Sequence, residues 1–186
     1  GEKWGRYSFI GLAAETIIKV NDYKVRIEKN GKLLQEYEVE DPLVWIQEYQ
    51  EKFKVPKLDS LPDFNGGLVG YFGYEIVRYI EPKLANIDKT DELNVPDILL
   101  MLSNDLLVVD NLNSKVYIIT HINPSENSFE DGIAKLSAIE KSIKKSFKYP
   151  TTASANIKSK DFISSFGREN YISAVEKVQA YIKAGD

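Results

Sequence analysis

The sequence predicts an α+β domain, in which an antiparallel sheet system is packed by helices. Two observations predict this fold class. Apolar residues recur at every second position over residues 7–38 and fill three further short segments over residues 97–121, as in strands with one or both faces buried. Two later segments, residues 128–147 and 171–182, instead space their apolar residues by three and four positions, as in helices that pack through one stripe.

Turn signals divide the first region into strands. The segments "TIIKV" and "YKVRIE" flank Asn21-Asp22, and Asn30-Gly31 follows them. Asn-Gly tolerates the positive φ angles of a two-residue hairpin turn better than most dipeptides. The pattern predicts that residues 7–38 form one meander of sequential antiparallel strands.

A helix is predicted to follow the meander. Asp41 has the side chain of an N-cap residue, and Pro42 suits the first helical position because it has no N–H to leave unpaired. The helix is expected to stop near Val55-Pro56, since proline disfavours helical geometry in the residue before it. One face carries apolar side chains: Leu43, Ile46, Tyr49 and Phe53.

The segment "NGGLVGYFGYE", residues 65–75, raises two alternatives. Closely spaced glycines can cradle a phosphate, but that fingerprint needs a different spacing at a strand-to-helix turn. The residues between these glycines favour strands, and glycine within a strand indicates that another backbone approaches closely. The segment is therefore interpreted as a strand packed against a neighbour, followed by a short helix that ends at Pro82.

The second half of the sequence is predicted to form three strands, two helices and a linker. "DILLMLS", "DLLVVD" and "KVYIITH" are the strands, and a helix is predicted over residues 128–147. Small polar residues mark 150–161 as a linker. The last helix is expected to end at Gly185, a C-cap position. Its apolar stripe predicts that it opens a further domain lying beyond this chain. The expected organisation is thus a domain over residues 1–149, the linker, and the start of a second domain over residues 162–186.

Composition restricts the classes of function. The chain has 186 residues, a net charge of −4 and no cysteine, so it lacks the broad basic surface of a nucleic-acid or anionic-membrane binder. No signal peptide or membrane span is recognised, and a cytoplasmic location is expected. His121, the only histidine, is interpreted as a strand-end side chain. No metal site is predicted in this chain.

Four stretches resemble one known family. They are "GRYSFIGL" (5–12), "GGLVGYFGYEIVRYIE" (66–81), "PDILLMLSNDLLVVD" (96–110) and "FGRENYISAVEKVQAYIKAGD" (166–186). Together they resemble the amino-terminal region of anthranilate synthase component I, and the fourth is similar to the helix that opens the family's chorismate-binding domain. The aminodeoxychorismate-forming relatives share the architecture and stay an alternative, as does a free-standing interaction module without enzymatic activity.

The resemblance implies a regulatory and scaffolding role for this region. In the whole protein, chorismate and ammonia give anthranilate and pyruvate in tryptophan biosynthesis, with ammonia supplied by a glutamine amidotransferase subunit. The catalytic residues and the Mg²⁺ ligands implied by the family fall outside this chain, so the chain alone is expected to be inactive.

The resemblance also implies a tryptophan feedback site, which Arg6, Tyr7 and Ser8 would line or adjoin. An arginine, an aromatic ring and a hydroxyl are suited to a carboxylate, an indole and an ammonium group. The alternative stays open that Tyr7 and Phe9 face the core while Arg6 and Ser8 face solvent.

Overall fold

A computed structural model of the protein describes residues 5–84, 93–145 and 163–185. The chain divides into two compact units, residues 1–145 and 146–186. The predicted linker, residues 150–161, lies outside the described residues, so the predicted domain boundaries stay a prediction. The α+β fold class is confirmed, because the first unit contains two antiparallel sheets with helices packed beside them.

The larger sheet has five strands in the order β4-β3-β2-β6-β5. Its strands are β2 (Thr16–Asn21), β3 (Lys24–Lys29), β4 (Lys32–Glu38), β5 (Gly67–Phe72) and β6 (Ile98–Ser103). Both predicted turns are present between β2, β3 and β4, and Asp22 and Asn30 adopt positive φ angles of 50° and 51°. The meander is therefore confirmed for these three strands.

The smaller sheet has the order β1-β7-β8, with β1 at Tyr7–Gly11, β7 at Asp105–Asp110 and β8 at Lys115–Thr120. The expectation that one meander begins at Tyr7 is wrong, because β1 leaves the neighbouring strand β2 and pairs with β7. A period of two identifies a strand but carries no information on its partner. Here the partner is about a hundred residues away along the chain, with Tyr7 opposite Asp110.

Each sheet has its own group of buried apolar residues. The larger sheet buries Ile18, Val20, Val25, Ile27, Ile98 and Leu100 together with Ile46. The smaller sheet buries Leu106, Val108 and Ile119, and Tyr7, Leu61 and Tyr117 pack against them. The near-continuous apolar run of β7 predicts burial on both faces, and the burial of three successive residues, 106–108, confirms it.

The described residues form four α-helices, and two of the helix ends have the caps that the sequence predicts. The helices are α1 (Pro42–Glu51), α2 (Val77–Ile80), α3 (Phe129–Ile143) and α4 (Arg168–Ala184). Asp41 caps α1 by accepting from the N–H groups of Leu43 and Val44, although the helix ends at Glu51, before the predicted stop near Val55-Pro56. Gly185 ends α4 in the left-handed conformation. None of the described helices has the length and apolar character to cross a bilayer.

The glycine-rich segment forms β5, as the strand interpretation predicts. Gly70 lies opposite Leu100, and a Cβ atom added to it would overlap the carbonyl group of Leu99. At Gly73, an added Cβ would come within 2.9 Å of the Asp97 carbonyl oxygen. These glycines therefore allow close approach to the backbone of the β6 strand and the residue before it.

We predict that Gly70→Ala lowers the thermal unfolding midpoint of the protein. Forcing a methyl group against main chain costs about 2–3 kcal/mol or more, which corresponds to a decrease of roughly 5–10 °C in a domain of this size. The matched control is Gly11→Ala in β1, where an added Cβ meets nothing within 4 Å. Equal midpoints for the two variants, measured by circular dichroism, would contradict the close-approach explanation.

Candidate functional site

The candidate site is built around the start of β1, where the predicted residues Arg6, Tyr7 and Ser8 lie. The structure brings Arg6 and Tyr7 together, with the guanidinium carbon 4.7 Å from the centroid of the tyrosine ring. A guanidinium over an aromatic face is attracted by the ring's quadrupole. Successive strand side chains point to opposite faces, so Ser8 lies on the other face of β1 from Tyr7.

Arg6 is held by a carboxylate that sequence reasoning did not single out. Its Nε donates to Asp110 Oδ1 at 3.2 Å and its Nη2 donates to Asp110 Oδ2 at 2.9 Å. The side chain of Asp110 is fully buried, whereas that of Arg6 is 33% exposed. This bidentate geometry is the arrangement in which arginine and carboxylate bind each other most specifically.

Three further donors complete the environment of Asp110. The backbone N–H groups of Leu112 and Asn113 donate to Oδ1 at 3.1 and 3.2 Å, and Asn113 Nδ2 donates to Oδ2 at 2.9 Å. A buried carboxylate is tolerated only when its oxygens are well bonded. The hydrogen bonds from Arg6, followed by those from Asn113, hold the pKa of Asp110 well below its usual range, although burial acts in the opposite direction.

The same contact acts on the arginine. The hydrogen bond to Asp110 raises the pKa of Arg6 above its ordinary value. A guanidinium has more N–H donors than the two that Asp110 uses, so Arg6 can bind a second anion while it stays paired. The arrangement suits recognition of a carboxylate next to an aromatic ring.

Ser8 is connected to the turn between β7 and β8. Asn111 Nδ2 donates to Ser8 Oγ at 3.1 Å and to the Gly5 carbonyl oxygen at 3.2 Å. The Asn111 backbone N–H donates to the Arg6 carbonyl oxygen at 2.8 Å. The turn thus holds the strand through its main chain as well as through its side chains.

The alternative assignment of faces is only partly correct. Tyr7 packs against the core of the smaller sheet as expected, but Phe9 is 46% exposed and contacts Phe64 edge-on at a centroid distance of 5.2 Å. Arg6 does not simply face water, because Asp110 binds it. Asp110 could have been found from the sequence, since alternation places it on the same face as Leu106 and Val108, where a charge needs a partner.

A separate cleft of about 730 Å³ is lined by the chain that follows α1, by the start of β5 and by residues next to the ends of β6 and β8. Its lining includes Lys52, Asn65, Gly66, Asn104 and His121, and it does not include Arg6, Tyr7 or Ser8. His121 Nε2 lies 2.6 Å from the Asn65 carbonyl oxygen, so the histidine is engaged by the protein, consistent with its interpretation as a strand-end side chain.

Among residues 5–84, 93–145 and 163–185, no group of three His, Asp or Glu side chains is arranged to hold a metal ion. Within the same ranges, every buried side-chain nitrogen or oxygen has a hydrogen-bond partner.

Comparison with known proteins identifies the family. The family described as chorismate binding enzyme matches residues 2–186. The chain belongs to the chorismate-binding enzyme family. Several similar proteins are named anthranilate synthase component 1. The chain is 41% identical over 194 residues to anthranilate synthase component 1 of Pseudomonas putida, a match that covers 100% of this chain and 38% of that protein.

Two further comparisons also match proteins named anthranilate synthase component I. Anthranilate synthase component 1 of Pseudomonas aeruginosa is 42% identical over 194 residues, with coverage of 100% of this chain and 39% of that protein. The crystal structure of anthranilate synthase component I from Streptococcus pneumoniae matches with a TM-score of 0.60 and 22% identity over 77% of this chain and 31% of that chain. At that identity, the structural match establishes the fold alone. The chain spans about 38% of the length of the relatives that it matches.

The buried Arg6–Asp110 pair predicts a dependence of stability on pH. Because the folded-state pKa of Asp110 is lowered, the pair stabilises the native state fully above about pH 5 and progressively less below it. We expect Asp110→Asn to lower the unfolding midpoint at pH 7, and the deficit relative to wild type to shrink as the pH falls toward about 3.

The matched control is Glu36→Gln, which removes the carboxylate of the more exposed Arg26–Glu36 pair. Exposed pairs contribute little to stability, so this variant should unfold close to wild type at pH 7. A wild-type midpoint for Asp110→Asn at pH 7 would show that the buried pair does not stabilise the fold.

Proposed function

We propose that these residues belong to component I of an anthranilate synthase. The observation that carries the proposal is the 41% identity over the whole chain to a protein of that name. The whole protein would convert chorismate and ammonia to anthranilate and pyruvate, in the cytoplasm. Ammonia would come from glutamine through an amidotransferase subunit, as the resemblance implies.

Within that protein, the region described is proposed to regulate and to support rather than to catalyse. The chorismate site, its Mg²⁺ and the acid–base groups are placed in the remaining length of the family's proteins, as the resemblance implies. The two sheets of the first unit present strand β1 and its loops as contact surface. This portion would contribute to domain and subunit contacts, including those with the amidotransferase.

The regulatory ligand is proposed to be tryptophan, bound in part by Arg6 and Tyr7, with Ser8 adjoining. Three properties of the site support this assignment. The guanidinium keeps N–H donors beyond those that Asp110 uses, the tyrosine ring lies directly beside it, and both side chains are only partly buried. A carboxylate and an indole of one ligand can therefore meet a cation and an aromatic ring on the same face.

The product of the reaction tests the parent activity. We expect the full-length protein, supplied with chorismate, Mg²⁺ and an ammonium salt, to form anthranilate, which is measured by its fluorescence together with stoichiometric pyruvate. Formation of aminodeoxychorismate without pyruvate would assign the chain to the related folate-pathway enzyme. No turnover of chorismate, with or without an amidotransferase subunit, would favour a non-enzymatic interaction module.

Substitution at Arg6 and Tyr7 tests the effector site. We expect Arg6→Ala and Tyr7→Ala in the full-length protein each to raise the tryptophan concentration for half-inhibition by about tenfold, because each removes one principal contact with the ligand. Arg26→Ala, which removes an exposed arginine from the larger sheet, should leave inhibition unchanged. Unaltered inhibition in both Arg6→Ala and Tyr7→Ala would remove these residues from the effector site.

A further inference from the structure

The last residue of β7 and the turn that follows it, together residues 110–113, hold the strand that carries the proposed effector residues. Asp110 accepts hydrogen bonds from the Arg6 guanidinium. Asn111 donates to the carbonyl oxygens of Gly5 and Arg6 and to the Ser8 hydroxyl. These bonds join parts of the chain that are separated by more than a hundred residues. The turn therefore helps to fix the position of the strand, together with the pairing between β1 and β7.

Asp110 fixes the orientation of the Arg6 guanidinium. An arginine side chain is flexible, and ordering it on binding a ligand costs conformational entropy. In this structure two parallel hydrogen bonds to a buried carboxylate already order it beside Tyr7. The guanidinium is consequently pre-organised for a second anion.

Asp110 itself is not available to a ligand. Its side chain is fully buried, and its two oxygens accept five hydrogen bonds, from Arg6, Leu112 and Asn113. Any influence of Asp110 on an effector must therefore pass through Arg6 or through the turn that carries Asn111.

Asn111 fixes the backbone of the strand. Its backbone N–H bonds the Arg6 carbonyl oxygen, and its side chain bonds the Gly5 carbonyl oxygen and the Ser8 hydroxyl. This arrangement sets where the strand begins relative to β7. It also gives Ser8 a partner within the protein.

We propose that Asp110 and Asn111 are positioning residues for recognition of the amino-acid effector: Asp110 orients the Arg6 guanidinium, and Asn111 fixes the strand that carries Arg6, Tyr7 and Ser8. This inference rests on the proposed function, since it concerns the same effector site. It adds to that site two residues that do not touch the ligand.

The test measures inhibition of ammonia-dependent anthranilate formation by tryptophan in the full-length protein. We expect Asp110→Asn to raise the half-inhibitory concentration by about tenfold and Asn111→Ala by about threefold, because the effector must then order its own binding groups. The kcat without tryptophan should change by less than about twofold for either variant, since a positioning role acts on effector affinity.

Two controls separate positioning from a general loss of stability. Gly70→Ala, which is expected to destabilise the larger sheet, should leave the half-inhibitory concentration at the wild-type value. If Asp110 acts through Arg6, adding Asp110→Asn to Arg6→Ala should cause no further change, because the two substitutions then remove the same interaction.

The outcomes distinguish this inference from the proposed function. If Arg6→Ala weakens inhibition while Asp110→Asn and Asn111→Ala do not, the positioning role is overturned and the effector site stands. If tryptophan does not inhibit the wild-type protein, the proposed effector site fails and the positioning role fails with it. If Asp110→Asn does not fold, Asn111→Ala alone decides, because Asn111 is exposed and its replacement leaves the buried ion pair intact.

Discussion

The architecture of the smaller sheet depends on one buried carboxylate. Asp110 lies at the end of β7 with no solvent exposure, where an unpaired charge would cost far more than the fold can supply. It is tolerated because a backbone N–H group of the β7–β8 turn donates to it. Arg6, which lies about a hundred residues earlier at the start of β1, donates to it as well. The hydrogen bonds that Asp110 requires therefore explain the shape of the turn, and they hold β1 next to β7.

Local signals were sufficient for most elements of the fold. Asn30-Gly31 predicted a hairpin turn and Asp41-Pro42 a helix start because a turn or a cap is decided by the few residues that form it. The same signals could not place β1. Residues 7–11 alternate like the strands that follow them, yet their partner is selected by contacts with Val108 and Asp110 at long range. The glycines of β5 could be interpreted because a close approach between two backbones requires glycine, which is visible in the sequence. Strand pairing by itself requires no particular residue type.

The candidate site was predicted only in part. Arg6, Tyr7 and Ser8 came from a resemblance, and the sequence alone gave no reason to prefer them to other exposed strand residues. Asp110 carried a usable signal, since it is a charge in phase with buried Leu106 and Val108. Asn111 carried none, because an asparagine in a turn has an ordinary local explanation. Its bonds to Gly5 and Ser8 depend on the register between β1 and β7, which only the folded chain defines.

The strength with which Asp110 holds β1 against β7 limits how an effector can act. Shifting β1 along β7 would separate Arg6 from a buried carboxylate, and leaving that carboxylate unpaired is strongly unfavourable. A regulatory ligand can shift an equilibrium only by binding two arrangements with different affinity. If Arg6 and Tyr7 bind that ligand, they form the fixed side of the pocket, and the two arrangements must differ in what closes over them. Regulation would then operate by moving other parts of the protein relative to this strand, while the Asp110 turn keeps the strand in one register.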